Sequence, residues 1–247
     1  EEVEKENTEK QILDKISKVK IDDEEKKKIS KILEYKYKYQ DSTTIPTKTS
    51  VTELKIAPKK SDLKCAKFLK EDTETKITNA QKGTLIHLCM QKLDTQNKNY
   101  TYSQIKDLVQ DLENKKIITH KEAEAININK VYQFTKSKIW EEMIHAHAVH
   151  REKAFYISIP AKEVFDKELE EKILVQGVID LYYINEQNEL ILVDFKTDYV
   201  EDRNEQILVD KYNIQLELYK RALEDALQRK VDKVYIYSTY LEKEILI

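Results

Sequence analysis

A short segment in the second half of the sequence, Asp194-Phe195-Lys196, carries the clearest chemical signal. It ends an apolar stretch that is typical of a β-strand, in which every second side chain points to the same face. Asp194 and Lys196 therefore project together, and the Phe195 carbonyl lies close enough to join them. A carboxylate, an ammonium and a carbonyl in this arrangement could bind a cation and stabilise negative charge.

A second carboxylate, Asp180, lies in the preceding predicted strand. The polar residues 185–188 predict a hairpin turn between the two strands, which would bring Asp180 and Asp194 together. Because two carboxylates in contact repel one another, a divalent cation is the expected occupant. Oxygen ligands favour Mg²⁺ or Mn²⁺, and an added imidazole from His87 favours tolerance of Mn²⁺.

The sequence contains two glycines, Gly83 and Gly177, and each stands near a candidate metal ligand. Glycine loses more backbone entropy than other residues in regular structure, so each one indicates a close approach of the backbone. Gly83 precedes His87 by about one helical turn, and Gly177 precedes Asp180 within a strand. The set fits hydrolysis of a phosphodiester bond, in which a metal ion lowers the pKa of a bound water. Lys196 would orient that water or the developing charge.

Hydrophobic periodicity predicts the elements that must position these residues. Helices are expected at residues 5–18, 22–37, 83–93, 102–112, 129–145 and 212–228, and strands at 154–159, 173–183, 189–195 and 233–240. The order in the second half is helix, three strands, helix, strand. A helix between the last two strands predicts a crossover onto a mixed sheet, so the expected fold class is α/β.

Composition divides the chain into three stretches. Residues 1–45 are predicted to form a helical extension, residues 46–79 a linker and mobile segment, and residues 80–247 the main domain. The polar opening of the sequence is typical of a fragment of a larger protein.

The bulk composition narrows the possible functions. With 247 residues, of which 40% are apolar and 36% charged, the chain is expected to be globular and soluble. Two cysteines, Cys65 and Cys89, are too few for a structural zinc site or an iron–sulfur cluster, and they favour the cytoplasm. No apolar run approaches the roughly 20 residues of a membrane helix. The net charge of −3 lacks the basic excess of a free-standing DNA-binding protein, so other domains would bring any DNA strand.

Four segments occur in an order known from a protein family. They are GTLIH at 83–87, GVID at 177–180, DFKT at 194–197 and QLELY at 215–219. In this order they resemble the motifs of RecB-family nucleases, which belong to the PD-(D/E)xK superfamily. A finer similarity to the carboxy-terminal nuclease domains of AddA-type subunits of AddAB helicase–nucleases includes SVTELK at 50–55, RE at 151–152, the region around Phe155, and PAKE at 160–163.

The resemblance implies a PD-(D/E)xK restriction-endonuclease-like core of helix, three strands, helix and strand, with an amino-terminal helical extension. It implies that the metal is bound by His87, Asp180, Asp194 and the Phe195 carbonyl. Lys196 would be the catalytic lysine, and Gln215 and Tyr219 would line the site and contact the DNA. Phe195 stands where many relatives have tyrosine, which matters little because only its backbone oxygen is needed.

The resemblance also implies an activity and its partners. The expected function is that of a Mg²⁺-dependent DNA exonuclease, with Mn²⁺ able to substitute, which digests the 3′-ended strand in recombinational break repair. The expected partners are single-stranded DNA from unwound duplex ends, a helicase part of the same full-length chain, and a second nuclease chain of the AddB type; no membrane is expected. This sequence has no G-x-x-x-x-G-K-[ST] loop for ATP, and two cysteines exclude the four-cysteine iron–sulfur cluster of AddB-type nucleases.

Two other interpretations stay open. The chain could be a catalytically silent nuclease fold that docks a partner protein, although such modules generally lose a metal carboxylate or the lysine. A stand-alone restriction-type endonuclease would need sequence-reading elements, and we find none.

Further residues favour structural roles. His145, His147 and His150 could suggest zinc, but no single element presents all three, so solvated histidines at a helix-to-strand junction are expected. Several tyrosines could stack on bases, but packing in the core is the default for a β-rich domain. They are Tyr212, Tyr235, Tyr237 and Tyr240.

Overall fold

The computed structural model describes residues 22–54, 77–165 and 170–247. The chain divides into two compact units, Glu1–Ile45 and Pro46–Ile247. The predicted helix at residues 5–18 lies outside the described residues, as does most of the segment that we expected to be mobile.

The first unit contains one described α-helix, α1 (Asp23–Leu33). The Asp22 side chain accepts a hydrogen bond from the Glu24 amide and so caps the helix, whose first turn is acidic, as the macrodipole favours. The helix ends earlier than the predicted range of 22–37. None of its residues is buried.

The described part of the second unit is α/β. Its helices are α2 (Val51–Leu54), α3 (Asn79–Lys92), α4 (Tyr102–Asn114), α5 (His120–Ala125), α6 (Ile128–Phe134), α7 (Lys138–Ile144) and α8 (Gln206–Leu227). Its strands are β1 (Lys48–Ser50), β2 (Ala148–Pro160), β3 (Lys172–Ile184), β4 (Leu190–Lys196), β5 (Lys233–Ser238) and β6 (Lys243–Leu246). Short 3₁₀ helices occur at Ser42–Thr44 in the first unit and at Ala161–Glu163 and Glu201–Arg203 in the second.

The strands form one mixed sheet around β3. One edge of β3 pairs antiparallel with β2 along its length. The other edge pairs parallel with β1 near its start and antiparallel with β4 near its end. Parallel β5 follows β4, and antiparallel β6 follows β5. Helix α8 is therefore the crossover between the parallel strands β4 and β5, as the sequence predicted.

Local sequence signals explain where the elements begin and turn. Helices α3, α4 and α5 each begin with a capping box, in which a threonine and a Gln or Glu three residues later bond to each other's backbone amides: Thr78 and Gln81, Thr101 and Gln104, Thr119 and Glu122. The β3–β4 turn contains Asn188 at a left-handed φ of 59°, which asparagine tolerates. The Asn185 side chain accepts the Glu189 amide at 2.8 Å and closes this turn.

Two layers of helix cover the sheet. Helices α3 to α7 pack on one face, where the Phe134 ring lies 5.2 Å from the Phe195 ring and 5.0 Å from the Tyr237 ring. Helix α8 covers the other face, since its Gln215 hydrogen-bonds to Asp194 of β4. Alternation along β4 thus buries Phe195 in one layer and turns Asp194 toward α8.

The predicted order of helix, three strands, helix and strand is confirmed by α3, β2 to β4, α8 and β5. The single helix predicted at residues 129–145 is wrong. The chain forms α6 and α7 instead, because the Thr135 hydroxyl bonds back to the Tyr132 carbonyl at 2.7 Å and Ser137 caps α7 by accepting the Trp140 amide at 3.2 Å. Hydroxyl side chains offer such alternatives to a continuous helix.

The stretch predicted as a linker also contains regular structure. Strand β1 pairs with β3, and the Glu53 side chain of α2 accepts the Ser50 amide at 2.9 Å. Composition alone did not predict this, because a strand of three residues is too short to show a period. The division of the chain at residues 45 and 79 stays a prediction.

We expect Gly177→Ala to destabilise the protein by about 1–3 kcal/mol. A Cβ at this position would lie 2.6 Å from Phe155 Cε1 and 3.2 Å from Tyr219 Cε1, so two packed rings would have to move. The measurement is the free energy of unfolding in urea, with Val178→Ala on the same strand as the control. Combining Gly177→Ala with Phe155→Leu should recover part of the loss, and a Gly177→Ala protein as stable as the wild type would contradict the steric argument.

Candidate active site

The two candidate carboxylates lie where the β3–β4 ladder ends. Its last pair is Leu181 with Val193, and one further step of this register sets Asp180 opposite Asp194. Directly opposed residues have Cβ atoms about 5 Å apart, so their side chains interact. The predicted hairpin therefore brings the two aspartates together, as we expected from the sequence.

A side-chain hydrogen bond takes the place of the ladder at this point. The Phe195 amide donates to Asp180 Oδ2 at 2.8 Å. The Phe195 ring is anchored in the α3–α7 layer, with 5% of the residue exposed. The backbone amide and the ring of Phe195 are thereby both held in place, and the amide lies beside Asp180.

Asp194 is the most deeply buried group of the site, with 1% of the residue exposed. Its Oδ2 forms an ion pair with the Lys196 ammonium, and its Oδ1 accepts a hydrogen bond from Gln215 Nε2 at 3.2 Å. Among the described residues, Oδ2 accepts no hydrogen bond of good geometry. Because a buried carboxylate is costly without partners, the Lys196 charge is its main compensation.

Helix α8 supplies two polar groups one turn apart. Gln215 Nε2 also contacts the Tyr219 hydroxyl at 2.7 Å, and the Tyr219 ring packs edge-on against Phe155 at 5.4 Å. Gln215 Oε1 is buried and has no hydrogen-bond partner within the described residues. An unpaired buried acceptor indicates that a donor or cation belongs nearby.

His87 of α3 reaches the opening from the other layer. Its Nδ1 lies 3.7 Å from Asp180 Oδ2, and its ring lies 5.7 Å from the Phe195 ring. Burial lowers the pKa of His87 to about 4, and the Lys196 charge acts in the same direction. The Asp194 charge and a hydrogen bond with the Phe195 backbone oppose the shift. The imidazole is therefore neutral at pH 7, the form that binds metals.

The pKa of Asp180 shows that a negative charge on this residue is unfavourable in the site. Burial raises the pKa of Asp180 to about 7, and the Asp194 charge adds to the increase. The Lys196 charge and the hydrogen bond from Phe195 lower it, and the charge of Glu152 raises it again. Two facing carboxylates with one lysine leave negative charge that a ligand can neutralise.

Both glycines stand at close approaches, as the sequence indicated. A Cβ on Gly83 of α3 would lie 2.6 Å from Thr197 Oγ1, just beyond β4. One on Gly177 would meet the Phe155 ring. Gly83 thus lets α3 come close enough to the end of β4 for His87 to reach Asp180.

Comparison with known proteins agrees with this geometry. The sequence profile of the PD-(D/E)XK nuclease superfamily matches residues 54–244. The chain belongs to this superfamily.

Curated relatives are each described as a subunit of an ATP-dependent helicase/nuclease. One from Clostridium kluyveri is 37% identical over 253 aligned positions, which cover 94% of this chain and 20% of the relative. One from Thermoanaerobacter sp. (strain X514) is 35% identical over 227 positions, 85% of this chain and 18% of the relative. One from Clostridium perfringens (strain SM101 / Type A) is 33% identical over 261 positions, 91% of this chain and 20% of the relative. The chain therefore spans about one fifth of the length of the curated relatives it matches.

Nucleases of this superfamily generally use divalent metal ions. Here the types of side chain suit such an ion better than the distances between them do. In the described ranges, no three His, Cys, Asp or Glu side chains are already arranged to hold a metal. The donors are nevertheless suitable, since the carboxylates of Asp180 and Asp194 face each other, a neutral His87 lies 3.7 Å from Asp180, and Gln215, whose Oε1 is unpaired among the described residues, bonds to Asp194. Lys196 currently contacts the Asp194 oxygen that an ion would share.

Two neighbours of the site were missed as site residues by sequence reasoning. Glu152 lies on β2 between residues that pair with Leu181 and Ile179, so the register places it opposite Asp180. Its left-handed φ of 49° coincides with a missing pair in the β2–β3 register. The Tyr212 ring lies 4.3 Å from Lys196 Nζ and shields the ammonium. Neither signal is visible in sequence, because both depend on strand register and the rotation of α8.

Other residues that could have carried chemistry have structural places. His145 and His147 lie between the end of α7 and the start of β2, and His150 stacks on Tyr182 at 4.6 Å. Tyr212, Tyr235 and Tyr237 are buried, whereas Tyr240 is half-buried.

Cys89 is a buried free thiol. Within the described ranges, none of the helices has the length and apolar character needed to cross a membrane.

We expect Asp180→Asn to stabilise the metal-free protein at pH 8. Because the pKa of Asp180 rises from an ordinary 3.8 to about 7 on folding, the wild type loses stability as the pH rises through this window. Asparagine keeps the acceptor for the Phe195 amide but carries no charge. A gain on the order of 2 kcal/mol, or a melting temperature higher by roughly 4–8 °C, should be present at pH 8 and vanish near pH 4.

The measurement is thermal unfolding in a chelator as a function of pH, with Asp111→Asn on the exposed face of α4 as the control. A gain that is the same at both pH values would mean that the carboxylate charge is not its cause.

Proposed function

We propose that this chain hydrolyses DNA phosphodiester bonds as the Mg²⁺-dependent exonuclease module of a helicase–nuclease. The observation that carries the proposal is the facing pair of the half-buried Asp180 and the buried Asp194, with Lys196 against Asp194, where the pairing of β3 with β4 ends. Membership of the nuclease superfamily and the names of the relatives support it.

The metal would be held by Asp180, Asp194, the Phe195 carbonyl and His87. These groups come from two strands and one helix, and their backbones are fixed by packing on both faces of the sheet. A bound divalent cation supplies charge neutralisation at the phosphate and lowers the pKa of a water ligand. Mn²⁺ is expected to substitute, since one of the four donors is an imidazole.

Lys196 would act on the attacking water or on the charge that develops at the phosphate. Its ammonium is enclosed by Asp194 and the Tyr212 ring, and 11% of its side chain is exposed. A compact cation held in this way is oriented before the substrate arrives, which reduces the reorganisation needed in the transition state.

Gln215 and Tyr219 would position Asp194 and the DNA. The Gln215 amide holds Asp194 Oδ1, which fixes the rotation of that carboxylate. Its free Oε1 can accept a hydrogen bond from a bound water or a sugar hydroxyl. The Tyr219 hydroxyl accepts a hydrogen bond from Gln215 Nε2, and its own proton would be donated to the DNA.

The substrate and partners follow from the relatives. Their names describe a subunit of an ATP-dependent helicase/nuclease, and this chain matches about one fifth of their length. We infer that a helicase part of the same full-length chain delivers single-stranded DNA to this module. The 3′-ended strand would be digested during recombinational repair in the cytoplasm. A second chain of the AddB type would complete the enzyme. A net charge of −3 fits a module that receives its strand from other domains.

Purified chain should degrade linear single-stranded DNA with Mg²⁺ or Mn²⁺ and not with a chelator. Asp194→Ala and Lys196→Ala should each lower the rate by roughly a hundredfold or more, because the first removes a metal ligand and the second removes the cation that stabilises charge at the phosphate. Asp111→Ala and Lys115→Ala, which break an ion pair of the same chemistry on α4, should leave the rate unchanged. Activity that survives Asp194→Ala would refute the site.

Calorimetric titration with Mn²⁺ separates the proposal from the docking alternative. The wild type should bind the ion, Asp194→Ala should lose binding, and Lys196→Ala should keep it, since lysine is not a ligand. A chain that neither binds Mn²⁺ nor cleaves DNA would instead be a silent nuclease fold that docks a partner.

A further inference from the structure

An open groove of about 760 Å³ lies beside the candidate active site, within the second unit. Its walls come from the start of α3, from the α5–α6 junction, from the segment after β4 and from Tyr240 after β5. Its volume falls in the ~300–1,000 Å³ range of small-ligand sites. Neither the metal donors nor Lys196 line it, so its occupant is not the reacting phosphate itself.

The groove adjoins the site at two points. Gly83 lines it and lies one turn before His87, and Thr197 lines it and directly follows Lys196. These two residues are in contact, since a Cβ on Gly83 would lie 2.6 Å from Thr197 Oγ1. A polymer whose phosphate lies at Asp194 would therefore reach the groove with its neighbouring nucleotide.

One wall of the groove is aromatic and faces solvent. Tyr199 and Tyr240 pack edge to face with their ring centroids 4.9 Å apart. Tyr199 is 72% exposed, so a large part of its surface is open to a ligand, while Tyr240 supports it from behind. An exposed ring held by a second ring is a rigid platform for a planar group.

The groove lining also carries positive charge. Lys82 and Lys130 line it, and neither has an ion-pair partner in the part of the chain that the structure describes. The one carboxylate in the lining, Asp198, is held by the Lys211 ammonium and by the Tyr212 hydroxyl at 2.7 Å. Asp198 therefore repels an anion less than its charge alone implies.

We propose that this groove binds the nucleotide of single-stranded DNA next to the scissile phosphate. Its base stacks on Tyr199, and its phosphate lies between Lys82 and Lys130. The assignment rests on the proposed nuclease function and adds to it the path of the strand. A base within a duplex cannot offer its face to Tyr199, so the groove selects single strands without reading sequence.

The chain contains a matched control for this chemistry. Tyr102 is 44% exposed, packs edge to face on Tyr132 at 5.9 Å, and has Lys106 over its ring at 5.6 Å. None of these three residues lines the groove. Substitutions there change an exposed tyrosine or lysine of similar surroundings without touching the proposed path.

The test is fluorescence anisotropy with a labelled oligothymidylate in a chelator, where no cleavage occurs. Tyr199→Ala should weaken binding by roughly 5- to 150-fold, and Tyr199→Phe should bind like the wild type, because the ring and not the hydroxyl stacks. Lys82→Ala and Lys130→Ala should each reduce the slope of log affinity against log salt by about 0.7. Tyr102→Ala and Lys106→Ala should bind like the wild type.

The result that overturns the groove is a wild-type chain that does not bind, or a Tyr199→Ala loss no larger than that of Tyr102→Ala. The circular dichroism and melting temperature of Tyr199→Ala should match the wild type, because the ring is exposed. Failure of the nuclease proposal gives a different pattern: binding that depends on Tyr199, with no metal-dependent cleavage by the wild type. Conversely, if the wild type cleaves DNA but the Tyr199→Ala variant binds it equally well, the nuclease proposal stands and the groove proposal fails.

Discussion

The site depends on one electrostatic constraint: Asp180 and Asp194 face each other where little water can screen them. Like charges in such surroundings repel far more than at a surface. The Lys196 ammonium, the Gln215 amide and the Phe195 amide each offset part of this repulsion, but they act on different oxygens. Negative charge remains, and the opening is therefore a place where a cation lowers the free energy of the fold. The same charge both favours the binding of a cation and makes the facing carboxylates costly for the stability of the fold.

The fold can bear this cost because the carboxylates stand on strands that are packed on both faces. Phe195 is locked into the α3–α7 layer, and α8 presses Gln215 against Asp194 from the opposite side. The close contact at Gly83 sets the distance between α3 and the end of β4, and so the position of His87 next to Asp180. A site built on strands and helices holds its geometry better than one on loops. The opening of the ladder is local, and the hairpin beyond it remains fully paired.

Sequence predicted the parts of the molecule that repeat a period or need a rare residue. The strand alternation around Asp194, the hairpin that opposes it to Asp180, and the two glycines all carried local signals. The three-residue strand β1 could not be predicted, because its partner β3 is more than a hundred residues away. Glu152 was missed as a neighbour for the same reason, since only strand register reveals it. The break between α6 and α7 depended on hydroxyl groups whose alternative bonds compete closely with a helix.

The local distribution of charge explains how a chain with a net negative charge could bind an anionic substrate. At physiological salt, exposed charges more than about 8 Å apart are largely screened, so the net charge of −3 matters less at the groove than Lys82 and Lys130 do. Two lysines alone would hold any polyanion weakly, including a duplex. Stacking on Tyr199 adds the selectivity, because an unpaired base is required and any base suffices. A nuclease with such a groove depends on prior unwinding for physical reasons, and it would digest a strand without regard to its sequence.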